Sequence, residues 1–244
     1  MGDPHVLVVD DAPGLARAGA DLLTRMVHAD GPVTVVPATG ETPVGMYAEL
    51  AARRARGELD TSGVWVVQLD EYLGLEPGDR RALFGWMDRT VLEPLAIDPG
   101  HVERLPTDGD LENACGAFDR TLAARGGIDV AILGLGVNGH LGFNEPPSDA
   151  ASVTRPVELT PATIAANARY WGSEPDVPTR AVTLGMRALL DARAIVLLVS
   201  GASKREIVHR ALEGPVREDV PASFVRQARG AVTVIVDRAA WGDA

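Results

Sequence analysis

Cysteine and lysine are nearly absent from this chain. The one cysteine, Cys115, excludes an intramolecular disulfide. Its place in the helix-like stretch LENACGAFDRTL points to a buried structural thiol, which fits a reducing compartment. Of the 23 basic residues 22 are arginine, so Lys204 stands alone. In a chain this biased toward arginine, a lone compact ammonium points to a specific task, with chance survival as the alternative. Basic charge is scarce as well: 34 acidic against 23 basic residues give a formal charge of −11, which repels nucleic acid and anionic membranes over the surface as a whole. Any anionic ligand must be held by a local site. The apolar runs, such as AIVLLV, are too short to cross a bilayer, and the start MGDPHVLVVDDAP lacks a basic leader. A soluble cytoplasmic protein with no membrane or nucleic-acid partner is expected. No H-x-x-x-H or C-x-x-C spacing exists to hold a metal. Repeats, low-complexity tracts and linkers are also missing from the 244 residues, 46% of them apolar, so one α/β domain over 1–244 is expected.

What is present is a steady alternation of short β-branched runs and amphipathic stretches, the pattern of strand–helix units on a mainly parallel sheet. Strands are expected at 5–9, 33–37, 64–69, 130–135, 181–184, 194–199 and 231–236, and helices at about 12–28, 43–56, 81–95, 110–125, 203–213 and 221–228. The stretch 136–180 is rich in Gly, Pro, Ser, Asn and Thr, with one helix near 161–170, and reads as a lid or binding loop. The predicted fold is a three-layer, Rossmann-like α/β arrangement. Ligands of such sheets collect at the carboxyl ends of the strands.

Four strand ends carry candidate chemistry. In PATGETPVGMYAEL, Thr42 reads as an N-cap and Pro43 as the first helical residue, leaving amide donors that suit a phosphate; an ordinary capped turn is the alternative, and Glu41 counts against an anion. In LVSGASKREIVHRAL, Ser203-x-x-Glu206 spells a capping box with Lys204 in the first helical turn, a placement that makes sense beside an anion. VWVVQLDEYLGL ends in Asp70 and Glu71; strand alternation lets one face the site, as a general base whose pKa burial would raise, while the other points into the structure. A solvated turn is the competing reading.

The fourth is GLGVNGHLGFNEP. Gly134, Gly136 and Gly139 spell the dinucleotide fingerprint G-x-G-x-x-G, but the fingerprint needs a helix to begin there, and another glycine plus two prolines within eight residues make a poor helix. His140 is instead a candidate proton carrier, with Glu145 and the amide nearby able to fix its tautomer; a structural histidine is the alternative.

Taken together, TGETPVGMY, QLDEYLGL, GLGVNGHLGFNEP, NARYW and SGASK stand in the order and spacing of the glucosamine-6-phosphate deaminase family, which the chain strongly resembles over about residues 30–240. The related 6-phosphogluconolactonases share the fold and a Gly-x-Asp-Gly-His turn but lack the Phe-Asn-Glu-Pro continuation. The resemblance implies conversion of an amino-sugar phosphate to fructose 6-phosphate and ammonia, with no redox cofactor and no metal. Carried over, His140 opens the sugar ring with Asn138 and Glu145 orienting it, and Asp70 moves the C2 proton to C1. Thr39, Gly40, Thr42, Arg169 and Lys204 hold the phosphate, and Glu71 belongs to the substrate-binding set.

Three departures from the family pattern bear on this. Asn138 stands where many members have Asp, so His140 lacks one negative neighbour and a smaller upward push on its pKa is expected. Glu41 replaces Gly or Ser beside the phosphate loop. Val157 stands where the allosteric, oligomeric branch has a basic effector ligand, which favours a monomer or small homo-oligomer. The rival readings are a lactonase or another phosphosugar isomerase, a catalytically silent paralogue, and a sugar-phosphate sensor. The last needs a DNA-binding segment, for which a first strand near residue 5 leaves no expectation.

Overall fold

The structure, a computed structural model, describes residues 2–27, 31–76 and 78–242. Chain order runs β1 (His5–Val9), α1 (Ala12–Val27), β2 (Val33–Val36), α2 (Val44–Ala55), β3 (Val64–Val67), β4 (Asp70–Tyr72), α3 (Leu83–Met87), β5 (Val102–Glu103), α4 (Leu111–Ala124), β6 (Val130–Gly134), β7 (Arg155–Glu158), α5 (Pro161–Trp171), β8 (Arg180–Thr183), α6 (Met186–Leu190), β9 (Ala194–Val199), α7 (Arg205–Glu213), β10 (Ala231–Asp237) and α8 (Arg238–Trp241). Seven strands pair in parallel in the order β1-β10-β9-β6-β2-β3-β5. The other three, in the order β4-β8-β7, form a small antiparallel sheet.

The two-residue period of the strands divides the core in two. Every residue of β9 is buried. Ile195, Leu197 and Val199 join one apolar cluster with Ala131, Leu133, Val234 and Val236, while Val196 and Leu198 join the other with Val130, Ile132 and Ile235. Successive side chains on a strand point to opposite faces, so both faces of the sheet are apolar and both must be covered. Helices α1 and α2 cover one through Leu15, Leu23, Met46 and Leu50. The other is covered by α4 and α7 through Cys115, Leu122, Ile207 and Ala211, which puts the lone cysteine in the core as expected. The burial pattern of α1 shows why it forms: Leu15, Gly19, Ala20 and Leu23 fall on one stripe, and the Asp11 side chain accepts the Gly14 N–H at 2.8 Å to open the helix. The expected end of this helix at residue 28 lies outside the described residues.

Several elements differ from the sequence reading. The helix expected over 81–95 is the short α3 followed by a π turn at Asp88–Leu92. The one expected over 221–228 is a 3-10 turn, Pro221–Gln227. The strand expected at 181–184 is β8, which lies in the antiparallel sheet. Segment 136–180 is less irregular than expected, since it carries β7 as well as α5. β7 contains Pro156, a residue that argues against a strand except at a sheet edge, and β7 is an edge strand. β5, with two residues, and α6, with five, are too short for a periodic signal.

Strand order also locates the place where loops diverge. From β2 the chain builds outward through β3 to β5, then returns to the other side of β2 as β6 and builds outward through β9 and β10. The reversal lies between β2 and β6, and in such sheets ligands bind at the carboxyl ends beside this reversal. The loops after β2, β3, β6 and β9 are the four singled out above.

Candidate active site

The loop after β2 turns at Gly40, whose φ of +95° is costly for any residue with a side chain. The phenol of Tyr47, buried on α2, donates to the Ala38 carbonyl at 2.9 Å and pins the loop from below. Thr42 does not cap the helix as expected: α2 begins at Val44, the cap position is Pro43, and no side chain bonds the first amides. The Thr42 hydroxyl is therefore not spent on capping.

The strand expected over 64–69 ends at Val67, and the adjacent carboxylates open β4 of the antiparallel sheet, where they separate as strand alternation predicts. Glu71 accepts from the Tyr72 and Leu83 amides through Oε1 and from the Phe84 amide and Gln68 Nε2 through Oε2, at 2.8 to 3.0 Å. Four donors fill this carboxylate, two of them opening α3, so its bonds hold the start of that helix against β4. Asp70 is different. It is only 5% exposed, its Oδ1 has no partner, and its pKa is pushed up to about 7, first by burial and then by Glu71, against a hydrogen bond from the Thr39 hydroxyl that lowers it. A buried carboxyl with a free oxygen and a pKa near neutrality is suited to exchanging a proton.

The loop after β6 holds no helix. The Gly139 amide bonds the Gly136 carbonyl, the Gly136 amide bonds the His140 carbonyl, and Gly139 has φ +86°. A Cβ on Gly136 would lie 2.4 Å from the imidazole, so this glycine exists to let the ring rest on the backbone. Asn138 fixes the tautomer. Its Oδ1 accepts the His140 backbone N–H at 3.3 Å and sits 2.7 Å from Nδ1; a backbone N–H can only donate, so the amide oxygen faces both, Nδ1 carries the proton, and Nε2 keeps a free lone pair. Burial pushes the His140 pKa down to about 4, with Glu145 opposing and Lys204 reinforcing the shift. The imidazole is neutral at pH 7.

Glu145 makes no hydrogen bond to His140 and acts on the ring through its charge. Its carboxylate accepts the Thr160 N–H at 2.7 Å, the Thr160 hydroxyl at 2.8 Å and the Thr163 hydroxyl, closing the N-terminus of α5. Helix N-termini leave amides unpaired and favour negative charge, which is why a carboxylate settles there. The antiparallel sheet ties the two candidate proton carriers together: Thr183 pairs in register with Asp70, and its hydroxyl accepts the Phe143 amide at 3.2 Å.

The loop after β9 turns at Gly201, φ +91°, and continues as a 3-10 turn, Ala202–Lys204, before α7. The capping box expected from Ser203 and Glu206 does not form; Lys204 is itself the residue before α7, and no side chain caps it. The loop is held from β10 instead. Asp237 accepts the Ser200 hydroxyl at 2.5 Å and the Gly201 amide at 3.1 Å, while also capping α8 through the Ala240 amide. Half-buried Lys204 has its pKa lowered, mainly by burial and also by Arg169. Two cations thus sit within each other's field. Arg169, near the end of α5, pairs with Glu41 at 3.4 Å and donates to the Tyr170 hydroxyl at 2.6 Å.

Bonds and electrostatic influence therefore link Thr39 to Asp70, His140 to Asn138, Glu145 and Lys204, Lys204 to Arg169, and Arg169 to Glu41. Tyr47, Thr160, Thr163, Tyr170, Thr183 and Asp237 were not read from the sequence. Only Asp237 left a signal there, as an acid closing an apolar strand. Among the described residues no group of three or more His, Cys, Asp or Glu side chains is placed to hold a metal ion, and no helix is long and apolar enough to cross a membrane.

The sequence and fold are similar to those of known proteins. Residues 10–234 match the family described as glucosamine-6-phosphate isomerases/6-phosphogluconolactonase. The chain is 41% identical over 240 residues to glucosamine-6-phosphate deaminase of Cutibacterium acnes, covering 97% of this chain and 90% of that one. It is 38% identical over 235 residues to glucosamine-6-phosphate deaminase 2 of Bacillus subtilis, covering 95% and 94%. Among solved structures, a monomeric glucosamine-6-phosphate deaminase superposes with a TM-score of 0.92 at 33% identity, covering 97% of this chain and 98% of that one. The 6-phosphogluconolactonase of Trypanosoma brucei, at 19% identity and a TM-score of 0.79 over 98% of both chains, shares the fold.

Proposed function

The chain belongs to the glucosamine-6-phosphate isomerase/6-phosphogluconolactonase family, and on that premise we propose that it converts glucosamine 6-phosphate and water to fructose 6-phosphate and ammonia. The observation that carries this reading is the pair of separate proton carriers at the carboxyl ends of the strands: a buried Asp70 poised near neutrality with a free oxygen, and a neutral His140 with a free Nε2.

The chemistry needs two proton transfers at different atoms, and the two groups divide them. His140 Nε2 takes the proton from O1 and returns it to O5, opening the ring. Asp70 removes the C2 proton while the substrate's ammonium passes a proton to O1, giving an enolamine, and Asp70 then returns its proton to C1. The resulting imine at C2 is hydrolysed by water to the ketone and ammonia. No electrons are transferred overall, so the reaction calls for no redox cofactor. A base with a pKa near 7 is matched to this task at neutral pH, since it is ionised in a useful fraction of molecules and still strong enough to accept a proton. Asn138 sets the His140 tautomer, Glu145 holds α5, and Thr39, Gly40, Thr42, Lys204 and Arg169 receive the phosphate.

The lone buried Cys115 and the net charge of −11 support a cytoplasmic enzyme acting without a nucleic-acid partner. Likeness to a monomeric deaminase supports a monomer or small homo-oligomer. Two faces of one sheet buried along the whole chain support a single domain over 1–244, with α5 and β7 forming the lid-like part of 136–180. The deciding experiment is ammonia release from glucosamine, galactosamine and mannosamine 6-phosphates, run beside 6-phosphogluconolactone hydrolysis. Release from glucosamine 6-phosphate is expected; lactone hydrolysis without ammonia release would replace this reading with the lactonase one.

A further inference from the structure

We infer that Glu41 is a built-in competitor for the substrate's phosphate: its carboxylate occupies Arg169 and Tyr170 at the end of α5 and gives them up when a phosphorylated sugar binds. The inference rests on the reading that the phosphate lies between the loop after β2 and Lys204. Glu41 stands between Gly40 and Thr42, the residues assigned to that phosphate, so its carboxylate and the ligand's phosphate are drawn to the same cations.

The geometry is that of a small closed circuit. Glu41 Oε2 lies 3.4 Å from Arg169 Nη2, and the same Nη2 donates to the Tyr170 hydroxyl at 2.6 Å. The Tyr170 hydroxyl in turn donates to Glu41, and this bond joins burial in raising the phenol's pKa. One carboxylate thereby engages two consecutive side chains of α5. The helix itself has firmer anchors: Glu145 at its N-terminus, and at its C-terminus the buried Trp171, whose ring packs edge-on against Tyr72 at 5.2 Å. What exchanges is therefore the Arg169 side chain rather than the position of the helix.

Two features make the exchange feasible. The Glu41 and Arg169 side chains are 69% and 63% exposed, and an ion pair so exposed is weak and salt-sensitive. A phosphate monoester also carries nearly twice the charge of a carboxylate near neutral pH, and it meets Lys204 as well as Arg169. Phosphate wins the cations, but against an internal rival, so affinity is set below what the same cations would give alone.

Binding of inorganic phosphate, followed by titration calorimetry, tests this in the wild type, Glu41→Gln, Arg169→Ala and the double variant. Glu41→Gln is expected to tighten phosphate by about two- to fivefold, the span that an exposed ion pair is worth, with the gain shrinking at high salt. In the Arg169→Ala background the same substitution is expected to change affinity by less than about 1.5-fold. KM for glucosamine 6-phosphate should fall in step in Glu41→Gln without loss of kcat. An unchanged phosphate affinity in Glu41→Gln overturns the inference. So does a gain that persists in full without Arg169, which would mean plain repulsion of the ligand, and so does a failure of all four proteins to bind phosphate. Ammonia release by the wild type is read separately: its absence, with phosphate binding as expected, sinks the deaminase reading and leaves the competition standing.

Discussion

Asp70 keeps one carboxylate oxygen without a partner in a buried setting, and the cost of that arrangement is readable as stability. Its pKa is raised from 3.8 to about 7, so the folded state favours the protonated form. That contribution is fully present below the unfolded value and is lost as pH rises through 7; above it, burying the charge costs on the order of a few kcal/mol. Asp70→Asn removes the charge and keeps the shape. It should abolish isomerisation while leaving phosphate affinity within a few fold, and raise Tm at pH 8 by more than at pH 5, as thermal scans at the two pH values would show. In the wild type the same group predicts that kcat/KM rises with pH through a midpoint near 7 rather than near the His140 value of about 4. At Gly136 a single methyl group decides the position of the imidazole. Gly136→Ala should cut kcat by roughly a hundredfold, the scale of a misplaced catalytic group, with little change in the far-ultraviolet dichroism. Full activity would show that the ring does not need that surface.

At the scale of elements, the site is held by charges that bridge strand ends to helix starts. Asp237 links β10 to the loop carrying Lys204. Lys204→Ala should raise KM by about ten- to a hundredfold, since a charge-assisted contact to phosphate is worth roughly 1.5 to 3 kcal/mol. Asp237→Ala should move KM the same way and also lower Tm, because it leaves buried donors unpaired; a lowered Tm with unchanged KM would free Lys204 from that support. A second bridge joins α7 to the C-terminal turn. His209 has both ring nitrogens facing acceptors, Glu213 Oε1 at 3.1 Å and the Trp241 carbonyl at 2.9 Å, so its pKa is raised, chiefly by the Trp241 carbonyl and then by Glu213, with burial and Arg205 opposing. This stabilisation is present below pH 6.5 and fades as pH rises through the elevated value, and solvent keeps it small. His209→Gln should reduce the difference in Tm between pH 5.5 and 8.5, leaving the part that Asp70 contributes. An undiminished difference would assign the pH dependence to other groups.

For the whole molecule, stability lies in the two apolar faces of one sheet. Leu197, fully buried on β9, should cost about 2 to 5 kcal/mol when cut to alanine, measured by urea unfolding. A value below 1 kcal/mol would show that the central strand can close the gap. The same faces explain what was legible in advance. β9, β6 and β10 are continuous apolar runs bounded by turn residues, a pattern that only a covered parallel sheet can accommodate. His140, Asp70 and Lys204 stand out as candidates in the sequence because ligands of such sheets gather after strands. Caps were misread at Thr42 and Ser203, since capping spelling is also loop spelling, and the hydroxyls were left unused by the helices that follow. The donors that fill Glu71 and Glu145 could not be read beforehand, because they come from residues 83, 84, 160 and 163, outside the motifs of the two carboxylates.

The sequence by itself determined the parallel sheet, its two covered faces and the four loops where polar residues follow apolar strands, because each depends on periodicity and local order along the chain. Only the tertiary structure decided that Asp70 keeps a free oxygen while Glu71 does not, that Glu145 bonds the start of α5, and that Glu41 reaches Arg169. Those outcomes depend on which distant donor arrives first at a given oxygen or nitrogen, and a hydrogen-bond partner many residues away leaves no period in the chain that it meets.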